Sequence, residues 1–450
     1  MLTREQAQEL VVKVIKLADA EQIEVIVTSG NVNSTRFSGN VIRENVGLLD
    51  NGVRLRVVNG KRQGTASINQ LDEDSIKRGI ASAIAVVRVS AEDDKLLPML
   101  KDQPDYASSN AWFEETASAT PALRAEAVGR VLSDFRSRGL EGAGIFDTHE
   151  GCVAYGNSHG VFAYHPSSKA DFTVSAFLDN GNVEGWAESS NMDIAKIDFI
   201  DAGQRAAAKC EAGLNPIALE TGDMPVILEP AALTEAMLFW GWLTGNGLAF
   251  AEKRSFHRGE LGQAILDSKL TISEDPLHAE LGGRPFDMEG FAVRPVKLVN
   301  AGEVVGVVHD RRSAALVGAT NTGHANIQPD AGGPRPSNIV VATGDKTIEQ
   351  MIADTERGLL VTKFHYTNVV NAQEVSMTGL TRAGTFLIEN GKISKPVQNM
   401  RFTQSLLTAF KDIDSIGSVA HASGGALFGG NFVVPAMKLK HWKFSSPTGF

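Results

Sequence analysis

The chain has 450 residues, 43% of them hydrophobic and 21% charged, which is ordinary globular composition and enough length for two or three domains. Its 43 basic and 53 acidic side chains leave a net charge of -10 spread along the sequence, so electrostatics give nucleic-acid binding no support. No run approaches the roughly 20 apolar residues of a membrane span. The only cysteines, Cys152 and Cys210, are too few for a disulfide framework and point to a reducing cytoplasm.

Thr3 and Gln6 stand in capping-box spacing before Leu10, Val11, Val14, Leu17 and Ala18 on one helical face. Its apolar residues are interleaved with Glu9, Lys13, Lys16 and Asp19, which makes it a domain helix rather than a signal peptide. Asn51-Gly52, Asn59-Gly60, Asn180-Gly181 and Asn390-Gly391 each lie between β-branched runs and predict tight hairpins, hence largely antiparallel sheets. Alternation of Val53, Leu55 and Val57 places a meander over about 45–68, with one face against the first helix. Helices are predicted at 72–89, from the spacing of Ile76, Ile80, Ile84 and Val87, and at 121–138, between the cap Thr120 with Pro121 and the stop Gly139. Residues 91–119 read as a surface connection with little core. Strands follow over 141–188 and a helix over 201–212, and the Pro- and Gly-punctuated segment 215–225 marks a domain boundary.

The second half opens with an almost wholly apolar helix over 231–243. Strands are expected at 291–299, 303–309, 338–342, 384–389 and 432–444, and a helix at 346–357 ended by Gly358. Segregated strands and helices favour an α+β class. The expectation is two domains with largely antiparallel sheets: residues 1–215, a sheet packed with helices, and residues 222–450, β-rich and barrel-like. No repeat of solenoid period is present.

The apolar helix carries one carboxylate, Glu235. Burying an unpaired ionised Glu is costly, so this side chain must protonate, find a partner or serve chemistry; Arg254 and His257, on the following loop, are the candidate partners. There is no G-x-S-x-G elbow, and Gly344-Asp345-Lys346-Thr347 lacks the first glycine of a phosphate loop and reads as a helix start. His149, Cys152, His159 and His165 are metal-ligand types without a standard zinc spacing, and strand alternation would send some of them to opposite faces. His421, in SVAHASGGALFGG, lies among glycines that fit either a tight turn or a ligand-facing loop. Lys438, Lys440, His441 and Lys443 around Trp442 read as a solvated edge strand rather than a phosphate track.

The segments GCVAYGNSHGVFAYHPSSKADFTVSA (151–176), FDMEGFAVRPVKLVNAGEVVGVVHD (286–310), ATGDKTIEQMIADTERGLLV (342–361) and NFVVPAMKLKHWKF, with the Glu235 helix, occur in order along the whole chain. Together they resemble the TldD/PmbA family, also called modulators of DNA gyrase. In that family's catalytic branch the helix equivalent to 231–243 bears His-Glu-x-x-x-His, and a Cys near the C-terminus completes a zinc site. Here those six positions run from Thr234 to Phe239, and no Cys lies within 419–425. Residues five apart on an ideal helix point roughly 140° apart, so the family motif implies a bent or ending helix, for which Gly241 and Thr244-Gly245-Asn246-Gly247 offer a place.

The resemblance implies the PmbA/TldE-like branch. Glu235 then holds a vestigial general-base position, Thr234, Phe239 and His421 are candidate substrate contacts, and the chain itself binds no metal. Without zinc, nothing lowers a water's pKa from about 15.7 towards 7. The implied role is cytoplasmic: binding an extended peptide and walling a chamber beside a TldD-like subunit that holds the zinc, in degradation of unfolded peptides or maturation of peptide precursors. A homodimer is the other assembly. An autonomous hydrolase with an unrecognised metal site and a non-enzymatic regulatory homodimer are the alternatives.

Overall fold

The computed structural model describes residues 1–257, 260–423 and 430–448. Helix α1 (Arg4–Leu17) starts at the Thr3/Gln6 capping box and buries Ala7, Val11 and Val14. Three strands follow, β1 (Gln22–Ser38), β2 (Val41–Asn59) and β3 (Arg62–Ile68), then α2 (Glu73–Val89), whose Ile76, Ile80 and Val87 share a core with Val25, Leu55 and Val57. After the short α3 (Glu114–Ala117) the same parts return: α4 (Pro121–Ser137), β4 (Glu141–Asn157), β5 (Phe162–Leu178), β6 (Val183–Asn191) and α5 (Phe199–Ala212).

All six strands form one antiparallel sheet in the order β3-β2-β1-β4-β5-β6, so two helix–three-strand–helix halves meet along β1 and β4. The duplication is visible in the punctuation: Gly39, Asn59-Gly60 and Gly64 recur at one constant spacing as Gly160, Asn180-Gly181 and Gly185. Gly64 and Gly185 occupy the outer strands beneath a helix. A Cβ on Gly64 would stand 2.2 Å from the Ala83 carbonyl oxygen, and one on Gly185 2.1 Å from that of Ala206, so the missing side chain is what lets each helix lie on the sheet.

Asn59-Gly60, Asn180-Gly181 and Asn390-Gly391 do sit between paired strands. Asn51-Gly52 does not turn: it pairs with Ser29 and Thr28 inside β2, and the reversal comes earlier, at Gly39 and Asn40, with φ of 59° and 60°. Nor is 91–119 bare surface. Met99, Ala111 and Thr116 are buried, and the Tyr106 and Ser109 hydroxyls donate to the carbonyls of Gly290 and Gly283 (2.6 and 2.9 Å), strapping the first sheet to the second half of the chain.

Strand β7 (Gly222–Leu228) enters the second sheet and leads into α6 (Pro230–Thr244). This helix runs unbroken through Gly241, and Asn246 caps α7 (Gly247–Ala251). Five short strands, β8 (Gln263–Ala264), β9 (Ile272–Glu274), β10 (Val296–Asn300), β11 (Glu303–Val304) and β12 (Asn338–Val341), make one wing of the sheet, interrupted by α8 (Arg311–Val317). Then come α9 (Ile348–Ala353), β13 (Arg357–Asn371), β14 (Ser376–Glu389), β15 (Lys392–Pro396), β16 (Met400–Ser405), α10 (Leu406–Ala409), β17 (Ile413–Ser423) and β18 (Asn431–Pro447). Strands β7, β13, β14, β16 and β18 pair in a closed circuit, antiparallel except between β7 and β13, and this is the barrel-like element. Fully buried Trp442 of β18 clamps it, 5.3 Å from Phe364 of β13 and 5.2 Å from Phe402 of β16.

The helix expected over 346–357 shrinks to α9, because Thr347 caps it and Gly358 already pairs within β13. β18 is a central strand, not an edge, and its basic residues meet acids: Lys438 with Asp414 (3.3 Å), Lys440 with Asp412 (2.6 Å), His441 with Asp223 (2.7 Å).

A buried polar network ties the two sheets together. Arg56 of β2 donates to both oxygens of Glu24 on β1 (2.6 and 2.8 Å), Tyr155 of β4 donates to Glu24 (3.2 Å), and Glu289, paired with Arg311, stands 3.8 Å from Arg56. Nearby Asp287 accepts backbone N–H groups of Glu289, Phe291 and Ala325, yet burial and the charge of Glu289 push its pKa up to about 7. An acid whose folded pKa exceeds its unfolded value of about 3.9 favours folding fully below that pH, and the contribution is lost as pH rises to 7. The unfolding free energy from urea titrations is therefore expected to fall between pH 5 and 7 for the wild type relative to Asp287→Asn, by at most about 1.4 kcal/mol per pH unit. Parallel profiles would refute the assignment.

Candidate functional site

Nearly every face of α6 is buried, with Leu233, Met237, Phe239 and Trp240 in the same core as residues of β13 and β18. Its first turns open on a cavity of about 610 Å³ between the two sheets, within the range of ligand sites. Thr173 of β5 and Trp186 and Glu188 of β6 form one wall; Ala231, Thr234 and Glu235 of α6, Lys363 to Tyr366 of β13, and Ser423 of β17 form the rest.

Local backbone geometry sets the Glu235 side of this cavity. β13 slips register between His365 and Asn368, and Tyr366 adopts φ 54°, a costly conformation for a bulky residue. At this bulge the buried Thr367 donates its hydroxyl to Glu235 Oε1, while Tyr366, 71% exposed, stays at the cavity mouth with its ring 4.7 Å from His365. Across the cavity, the Ser423 hydroxyl donates to Glu188 (2.7 Å), and Lys363 Nζ lies 4.2 Å from the Trp186 ring centre.

Burial raises the pKa of Glu235, opposed by the Thr367 hydrogen bond and by Lys363, and it raises Glu188, opposed by the Ser423 hydrogen bond. Burial lowers Lys363 against the pull of Glu184, Glu188 and Glu235, and it lowers His365, reinforced by Arg382. All four groups move towards their neutral forms in one place. Such a site can exchange protons with a ligand and can offer hydrogen bonds to an extended backbone without stranding a charge.

Thr234 and Glu235 both line the cavity. Phe239 does not: five residues along α6 it points elsewhere, 2% exposed, its ring edge-on to Trp242 at 5.7 Å. His421 is exposed on β17 outside the lining, with Arg205, Asp201 and Glu280 as charged neighbours; residues 424–429 of its glycine-rich loop lie outside the described residues. Arg254 and His257 are not partners of Glu235, since Arg254 bonds Glu252 (2.6 Å) and buried His257 bonds Ser255 (2.9 Å). The upstream histidines and cysteine disperse as well: Cys152 donates to the Leu2 carbonyl (3.4 Å), His159 meets Gln22 (3.4 Å) and His165 the Gly282 carbonyl (3.2 Å).

Sequence reasoning missed Trp186, Glu188, Lys363, His365, Tyr366 and Thr367. The signal for four of them was present: LLVTKFHYTNVV, at 359–370, is rich in β-branched and aromatic residues and reads as a strand once Gly358 is not taken for a helix stop.

Comparison with known proteins agrees with this architecture. The family model for PmbA/TldA metallopeptidase domain 1 matches residues 23–87, that for the central domain 103–214 and that for the C-terminal domain 221–446; the first two matches fall one on each half of the first sheet. The chain is 28% identical over 439 residues to the metalloprotease PmbA of Escherichia coli O157:H7, covering 94% of this chain and 92% of that protein. It is also 28% identical over 421 residues to a metalloprotease PmbA homolog of Haemophilus influenzae, covering 88% and 87%. The crystal structure of TldE from Thermococcus kodakarensis shares the fold, with a TM-score of 0.87 at 18% identity over 98% of this chain and 100% of that one. With its C-terminal half inside a single family match, the chain belongs to the PmbA/TldD metallopeptidase family.

Proposed function

We propose that this chain is the metal-free, substrate-binding subunit of a TldD-type zinc metallopeptidase, holding an extended peptide in the Glu235 cavity while a TldD-like partner holds the zinc. The observation that carries the reading is the pair Thr234 and Phe239, standing where the resemblance places two histidines. The Thr234 hydroxyl is buried without a hydrogen-bond partner and the Phe239 ring is core. Zinc does not fit this set. It needs about three His, Cys or carboxylate ligands; among the described residues no three such side chains gather, and the remaining residues include none of these types.

Glu235, held by Thr367 and biased towards its protonated form, is suited to donate a hydrogen bond to a peptide carbonyl. Trp186 and Tyr366 offer apolar faces to its side chains. A second subunit has an edge to use: β2 runs from Val41, its pairing with β3 begins only at Val53, and the outer part exposes Val46, Leu48 and Leu49. Two buried, unpaired cysteines suit a reducing cytoplasm. Among the described residues, no helix is long and apolar enough to cross a membrane.

Purified alone with added zinc, the chain is expected to cleave no unstructured peptide and to retain no stoichiometric zinc by elemental analysis, while light scattering at micromolar concentration shows a dimer. Co-purification from the native host is expected to bring down a zinc-bearing sister chain. Hydrolysis by the lone chain that a chelator abolishes would refute the proposal.

A further inference from the structure

A second cavity, of about 260 Å³, lies between the same two sheets and has a different chemistry. His165 of β5 reaches it from the first sheet; Arg284, Asp287, His324, Arg335 and Asn431 reach it from the second half of the chain. The acids at this place are already engaged. Asp287 accepts three backbone N–H groups, and fully buried Glu274 accepts the backbone N–H groups of Ser337 and Asn338 (2.9 and 2.8 Å) and the Asn338 amide (3.0 Å).

Arg284 makes no direct ion pair, although the charge of Asp287 acts on it from further off. Its Nε donates to the Phe286 carbonyl (2.6 Å), its guanidinium carbon lies 5.5 Å from the Phe286 ring centre, and among the described residues no carboxylate comes within ion-pairing distance. Burial lowers its pKa, opposed by the charge of Asp287. Arg335, at the exposed rim, reaches the cavity with its guanidinium near Asp330, both standing beside Gly332. His165 stays neutral and adds no second positive charge, because burial and then Arg284 hold its pKa down to about 4.

We infer that this cavity is a carboxylate-binding site, in which the Arg284 guanidinium, backed by Arg335, receives a small carboxylate through paired N–H donors. The volume falls below the roughly 300 Å³ at which drug-sized ligand sites begin, so it suits a terminal group rather than a whole large ligand. Its lining residues Ser167, Gly282 and Asn431 also line a neighbouring cavity of about 120 Å³, which in turn shares Ser423 with the Glu235 cavity. The three cavities succeed one another between the sheets. One source of the carboxylate is therefore the C-terminus of an extended peptide whose body lies towards Glu235, an assignment that rests on the peptide-binding reading above; a free small carboxylic acid is the other source.

Calorimetric titration with three probes separates these cases: succinate, a short unstructured peptide with a free C-terminus, and the same peptide amidated. At least one carboxylate probe is expected to bind the wild type about tenfold or more tightly than Arg284→Gln, with Arg284→Lys between them, which keeps the charge and loses the fork. A free-acid peptide that outbinds its amide in the wild type but not in Arg284→Gln assigns the peptide source. Succinate binding lost in Arg284→Gln, with no peptide bound, supports the site while removing the peptide-binding reading. Peptide binding indifferent to the C-terminal charge, together with no succinate binding, overturns the site and spares that reading; carboxylate binding unchanged in Arg284→Gln also overturns the site. Should Arg284→Gln fail to fold, Arg335→Gln at the rim supplies the same comparison with a smaller loss.

Discussion

Arg56→Leu is expected to lower the stability of the fold by about 3–5 kcal/mol, because it leaves Glu24 buried with its ion partner gone. Arg56 is 3% exposed and Glu24 2%, so water cannot take over the lost contacts. The cost comes mainly from stranding a charge rather than from losing an attraction. Glu24→Leu combined with Arg56→Leu should therefore recover much of the loss, although Tyr155 and Glu289 then give up contacts of their own. Urea unfolding of the two variants checks this: a single variant as stable as the wild type, or a double variant that is worse than the single, would refute it. Since Glu289 belongs to the second half, the single variant is also expected to loosen the junction between the two sheets, read as faster amide exchange around Gly290.

Trp442→Ala should be comparably severe, about 3–5 kcal/mol, because it empties the space that Phe364 and Phe402 share and the closed strand circuit limits collapse. Trp442→Phe should cost much less. The indole N–H has no hydrogen-bond partner, so that exchange trims volume without breaking a polar contact. Equal losses for the two variants would mean that something other than packing volume governs this core.

Where a residue's role depends on its near neighbours, the sequence was readable. Thr3 with Gln6, Thr120 with Pro121, and three of the four Asn-Gly pairs act through contacts a few positions away. Asn51-Gly52 misled because an Asn-Gly pair permits a turn without requiring one; inside β2, hydrogen bonding to Thr28 and Ser29 wins. Gly39 and Asn40 carry the real reversal with the same residue types in the opposite order.

Glu235 was conspicuous for a similar reason: a lone carboxylate in an apolar helix needs an explanation wherever the helix ends up. Its partner was out of reach. Thr367 lies 132 positions downstream, and its approach depends on a bulge with no sequence marker, since Tyr366 is an improbable residue for a left-handed backbone. Phe239 illustrates the converse error. A position inherited from a family motif says where a side chain sits on a helix, and here packing against Trp242 decides what it does.

The doubled first sheet bears on how this protein can be taken apart. β1 and β4, each 17 residues long, are central only because they face one another. A fragment truncated after α2 would bare the whole β1 ladder of N–H and C=O groups, and the natural complement for such a rim is another copy of the same fragment. Tandem fusion of the two halves makes that complement covalent, which spares the polypeptide a concentration-dependent assembly step.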